Sequence, residues 1–84
     1  MWILFQGFAS LKQINQVNLE FIAPMTIANI RNELLQHLNS ILELKELVTE
    51  LHGAAFAVEN RILTDTEVIS ESTTLYILPP VCGG

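Results

Sequence analysis

Side-chain chemistry in this sequence would have to come from two histidines, one cysteine and nine carboxylates. Their spacing supports none of the usual arrangements. His37 and His52 fall in helical segments, away from any metal-ligand or nucleophile motif, and read as ordinary helix histidines. His52 suits a helix C-terminus, where partial negative charge collects. Glu43, Glu46 and Glu50 recur at helical spacing with Lys45 among them, the pattern of a solvated helix face. Cys82 can form no internal disulfide and belongs to no metal-binding spacing. A reactive thiolate needs a basic neighbour or a helix N-terminus, and the sequence supplies neither close by. No glycine-rich phosphate loop occurs.

What remains is the backbone itself. The last stretch reads LYILPPVCGG, from Leu75 to Gly84. Pro79-Pro80 stiffens the chain, whereas Gly83-Gly84 carries no Cβ and accepts almost any backbone angle. The four residues from Val81 to Gly84 reach roughly 13–14 Å when extended. A rigid stem followed by a thin thread suits insertion into a narrow pocket on another protein. The expected reacting group is the α-carboxylate of Gly84. It is inert until a partner activates it, for example as an acyl-adenylate. A sulfur or amine nucleophile can then attack a carbonyl that no side chain shields. The alternative is an inert, flexible end.

Such a tail needs a rigid mount. Trp2 to Phe8 is a compact apolar run that predicts a strand, and the polar SLKQINQ after it predicts a turn. Val17, Leu19 and Phe21 alternate with polar residues and predict a second strand, making an N-terminal hairpin. Thr26 is positioned to cap a helix whose apolar stripe is Ile27, Ile30, Leu34, Leu35 and Leu38. Arg31, Asn32, Glu33 and Gln36 face away from the stripe or border it. Ser40 could cap a second helix carrying Leu44, Leu47, Val48 and Leu51, and Gly53 is placed for a positive φ at its end. Ala54 to Val58 and Ile62-Leu63 predict short strands turned by Glu59-Asn60-Arg61. Thr64 to Ser72 reads as a crossing loop with a turn of helix. Thr74 to Leu78 is the last strand, ended by the prolines. Its unbroken apolar run marks a central strand buried on both faces. Strands grouped around helices make an α+β fold.

Composition narrows the function classes. Eighty-four residues make one domain, and half of them are apolar, which opposes disorder. No apolar run approaches the roughly 18 residues of a membrane span, and no secretory signal is expected at the N-terminus. With one cysteine, a reducing, cytoplasmic setting is expected. Nine acidic residues against four basic ones give a net charge of −5. That opposes nucleic-acid binding and favours either a basic partner surface or simple solubility.

The residues Ile77-Leu78, Pro79-Pro80-Val81, Cys82 and Gly83-Gly84 resemble the ending of the MoaD family, the small sulfur-carrier subunits of molybdopterin synthase. That family ends in two apolar or aromatic residues, Pro-Pro-Val, one variable residue and Gly-Gly. The stretches ILFQGFASLK and MTIANIRNELLQHL are similar to its opening strand and turn and to its first helix, and FAVENRIL stands where the family usually has an Ala-Val-Asn strand. The chain departs from the family where Glu71-Ser72-Thr73 replaces an Asp-Gly-Asp turn, and where Ile77 and Leu78 replace aromatic residues.

The resemblance implies a ubiquitin-like β-grasp domain over residues 1–80 and an extended Gly-Gly tail over 81–84. It implies that Gly84 is the chemical site, adenylated by an E1-like adenylyltransferase and converted to a thiocarboxylate with a sulfur donor protein. Inside the large subunit of molybdopterin synthase, sulfur would pass to a cyclic pyranopterin precursor and build the molybdopterin dithiolene. The chain would bind no cofactor or metal of its own, ATP being used by the activating partner. Two small and two large subunits would form the synthase. Val81, Cys82 and Gly83 would line the insertion path, Leu78, Pro79 and Pro80 would support docking, and Phe5, Ile62 and Ile77 are candidate interface residues. A Gly-Gly ending alone equally suits the thiamine-pathway sulfur carrier or a ubiquitin-like protein modifier.

Overall fold

The computed structural model describes residues 1–15 and 17–80, with the side chains of Leu42 and Glu43 left aside. Val81, Cys82, Gly83 and Gly84, the expected tail, lie outside the described residues. Strand β1 (Trp2–Gly7) pairs antiparallel with β2 (Val17–Glu20) and parallel with β7 (Thr73–Leu78). On its other side β7 pairs antiparallel with β4 (Ala55–Val58), which forms a hairpin with β5 (Arg61–Leu63). The sheet order is β2-β1-β7-β4-β5. This mixed sheet with helices against one face is the α+β, ubiquitin-like β-grasp arrangement.

The core forms where strand alternation meets the helical stripe. Ile3, Phe5, Leu75, Ile77 and Phe56 are fully buried from the sheet side. From helix α1 (Ile27–Asn39), Ile27, Ile30, Leu34, Leu35 and Leu38 meet them, the five residues the spacing selects. The Phe5 ring packs edge-on to Phe21 and Phe56 at 6.2 and 6.4 Å between centroids, the favoured geometry for ring quadrupoles. Thr26 caps α1 by accepting the Asn29 N–H at 3.2 Å.

Several local expectations give way. The polar stretch after β1 is a 3₁₀ helix (Ala9–Ile14) rather than a simple turn, because Leu11 and Ile14, three apart, both bury on its inner side. Ser40 caps no second helix. It ends α1, its hydroxyl donating to the His37 carbonyl at 2.6 Å. A 3₁₀ segment (Leu42–Leu47) then leads into α2 (Val48–Gly53). Gly53 does not take the left-handed φ expected of it. The loop from Thr64 contains β6 (Val68–Ile69), paired with β3 (Met25–Thr26), and a turn at Asp65-Thr66 in place of the helical turn.

Strand β7 is central, as its apolar run implies, but it is not buried on both faces. Leu75 and Ile77 are fully buried, whereas Thr74, Tyr76 and Leu78 are half-buried. The helical core closes over the face carrying Leu75 and Ile77, and the other face stays open.

Candidate functional site

The stem of the tail is built by β7. The strand is hydrogen-bonded on both edges, and its last residue, Leu78, sits opposite Ala55 of β4. Near its end the Ile77 carbonyl also accepts the Phe8 N–H at 3.2 Å. Pro79 and Pro80 lack N–H donors and end the ladder. Pro79 is half-buried and Pro80 exposed. Pro80 lies over α2: a Cβ built on Gly53 would stand 3.6 Å from both Cβ and Cγ of Pro80. The chain is therefore held from the sheet out to residue 80.

The open face of the sheet carries a cross-strand row. Gln6 on β1, Tyr76 on β7, Ala57 on β4 and Ile62 on β5 stand opposite one another in register. Phe8 stacks on Tyr76 with centroids 5.9 Å apart and rings 26° from parallel. Beside this pair a shallow groove of about 290 Å³ is lined by Phe8, Ala57, Val58, Glu59, Tyr76 and Leu78. Phe8 is 45% exposed and Ile62 62%, so the patch presents apolar area next to the stem.

Two expected interface residues move to the core. Phe5 and Ile77 have no exposed surface. In both strands alternation points them at the helices, and no partner could touch them without unfolding the domain. Ile62 lies on the open face. Phe8 and Tyr76 were missed. Strict alternation through Leu75-Tyr76-Ile77-Leu78, given one buried face, would have separated Tyr76 and Leu78 from their neighbours.

The turn at Phe8 is tightly specified. A Cβ on Gly7 would fall 1.9 Å from the Leu11 carbonyl oxygen, so only glycine fits. Ala9 holds a φ of 53°, unusual for a residue with a side chain. The chain thus leaves β1 abruptly, with the Phe8 ring on the open face.

Two ion pairs tie the loop after β5 to its neighbours. Arg31 bonds Asp65 at 3.1 Å and Arg61 bonds Glu67 at 2.5 Å. The Thr64 backbone N–H, and after it the Arg61 guanidinium, hold the Glu67 carboxyl below the ordinary glutamate range. Glu50 accepts the Ser10 hydroxyl at 2.5 Å, tying α2 to the 3₁₀ helix, while the Glu43 side chain is outside the description. His37 and His52 stand in the last turns of α1 and α2, away from the Phe8–Tyr76 patch. Among the described residues no cluster of three or more His, Cys, Asp or Glu side chains could hold a metal ion. No described helix is long and apolar enough to cross a membrane.

Comparison with known protein families adds one match: the model of the ThiS family matches residues 5–84. No curated protein matches the chain.

Proposed function

The chain belongs to the ThiS family of ubiquitin-like sulfur carriers, and from that premise we propose that it is the sulfur-carrying small subunit of molybdopterin synthase. Carriers of this family work with E1-like enzymes and partner subunits. The observation that carries the narrower reading is the Pro79-Pro80-Val81-Cys82-Gly83-Gly84 sequence continuing directly from a central strand.

On this reading the Gly84 carboxylate attacks the α-phosphorus of ATP on an E1-like enzyme, and pyrophosphate leaves. Sulfur delivered at the sulfide level then attacks the acyl carbon, AMP leaves, and a thiocarboxylate results. The large synthase subunit docks on the open sheet face around Phe8, Tyr76 and Ile62 and admits Val81 to Gly84 to its active site. There the thiocarboxylate sulfur attacks an electrophilic carbon of a cyclic pyranopterin precursor, and water cleaves the resulting thioester, leaving the sulfur on the pterin and returning the Gly84 carboxylate. This chain supplies the nucleophilic terminus, a backbone free of side-chain obstruction at Gly83-Gly84, and the docking surface. Catalytic side chains and ATP belong to its partners.

Intact-mass measurement after incubation with ATP, an E1-like enzyme and a sulfur source tests the carrier chemistry. The expected gain is that of one oxygen replaced by sulfur, localised to Gly84. Unchanged mass, with another carrier loading in parallel, refutes it. Membership of the ThiS family equally favours sulfur delivery to thiazole formation, so the loaded chain is offered to both acceptors. Turnover by the large synthase subunit alone supports the molybdopterin reading. Turnover by a thiazole-forming enzyme alone overturns it.

A further inference from the structure

Arg31 does something its place on α1 does not suggest. Its side chain is only 14% exposed, and its guanidinium carbon lies 4.8 Å over the Phe56 ring. Nη1 donates to the carbonyls of Leu51 at 3.0 Å, His52 at 3.3 Å and Ala54 at 2.6 Å. Nη2 binds Asp65. The last carbonyls of a helix have no partner within it, and a helix as short as α2 holds its shape only through tertiary contacts. Arg31 provides those contacts for the turn from Leu51 to Ala54.

That turn is the surface on which Pro80 rests. Pro79 and Pro80 have no N–H to donate, so contact with α2 bears more of the task of steering the chain there. Gly53 meets Pro80, and its φ lies outside the left-handed range, so glycine is not needed there for backbone conformation. Its missing side chain has a different use. A methyl group would make ordinary contact with Pro80 at 3.6 Å, and a branched side chain would compete with the proline for the same surface.

We infer that Arg31 and Gly53 form a seat that fixes the direction in which the chain leaves Pro80, making Arg31 a positioning residue for the reaction at the terminal carboxylate. The inference rests on the function proposed above. Provided the activating enzyme grips the open sheet face as proposed for the large subunit, disturbing the seat spares ground-state binding and misplaces the reacting group. Misplacement of about 1 Å can lower a rate by roughly a hundredfold. Binding lost equally from ground and transition states would instead appear in KM.

The test uses the full chain with an E1-like enzyme and ATP, measuring kcat and KM for adenylation, the melting temperature, and the nuclear Overhauser contact between Pro80 and residue 53. Gly53→Leu changes an exposed position, so it keeps the melting temperature and KM while kcat falls about tenfold or more. Arg31→Gln lowers kcat in the same sense. Arg31→Lys, which keeps the charge but not the planar fork, falls between. Wild-type kcat in Gly53→Leu, or a loss carried wholly by KM, overturns the seat. If the wild-type chain is not adenylated, the proposed function fails, and the seat is still decided by the magnetic contact. Present in the wild type and lost in Arg31→Gln with the sheet contacts intact, it supports the seat. Absent in the wild type, it refutes it.

Discussion

Truncating Ile77 and Ile62 to alanine should separate the two faces of the sheet. Each change removes three carbons, and a fully buried CH₂ contributes about 0.8 kcal/mol. Ile77 has no exposed surface. Its truncation loses about 2.5 kcal/mol of transfer energy and leaves a cavity against Phe56 and Leu75. A total of roughly 3–4 kcal/mol is expected. Ile62 is 62% exposed, so folding loses only about a third of that transfer energy, under about 1 kcal/mol. If the large synthase subunit covers the rest, the complex with Ile62→Ala weakens by about 1.5 kcal/mol, roughly tenfold in Kd. Urea unfolding measures the first effect and calorimetric titration with the large subunit the second. Two results would refute the assignment of faces. One is Ile62→Ala unfolding as easily as Ile77→Ala. The other is Ile77→Ala weakening the complex while folding normally.

Two further predictions follow from local geometry. Gly7→Ala puts a methyl group 1.9 Å from the Leu11 carbonyl oxygen, an obstacle made of backbone that cannot turn aside. A loss of about 3 kcal/mol or more is expected, read from the urea midpoint, and a wild-type midpoint would contradict the packing described. The Glu67 carboxyl has a lowered pKa in the folded chain, so its stabilising contribution is complete above the ordinary glutamate value of about 4.3. It is lost as pH falls through the lower folded value. Glu67→Gln should therefore flatten the acid limb of a stability-against-pH curve, and an unchanged limb would assign that limb to other carboxylates.

How much of this could be read in the sequence depended on how far each signal repeats. Helix α1 was legible because Thr26 marks its start and five apolar residues keep one period across thirteen residues. The β3–β6 ribbon was not, because two-residue strands are too short to show any alternation. Leu11 and Ile14 look like stray apolar residues in a polar stretch, and only the core above them gives their spacing a meaning. In β7 the run Leu75-Tyr76-Ile77-Leu78 is apolar on both faces for two different reasons. One face packs against helices and the other stays open, and alternation sorts the four residues only once it is known that a single face is covered. Gly53 shows the same limit. A glycine at a helix end suggests a left-handed residue, while here its bare Cα leaves room for Pro80.

On the proposed function, the topology also links binding to delivery. Strand β7 lies between β1 and β4 and is paired along its length, so it cannot be drawn out without breaking two ladders. Its inward residues Leu75 and Ile77 belong to the core, and its outward residues Tyr76 and Leu78 line the groove beside Phe8. A partner that grips the open face therefore grips the strand that leads into the tail. From Leu78 to Gly84 the chain can span at most roughly 20 Å. An active site served by Gly84 must lie within that distance of the docked face. The two prolines and the surface under Pro80 bear on how that span is directed. A flexible linker in place of Pro79-Pro80 would keep the reach and lose the aim. The rate at the terminal carboxylate would then fall by more than any loss of docking affinity measured beside it.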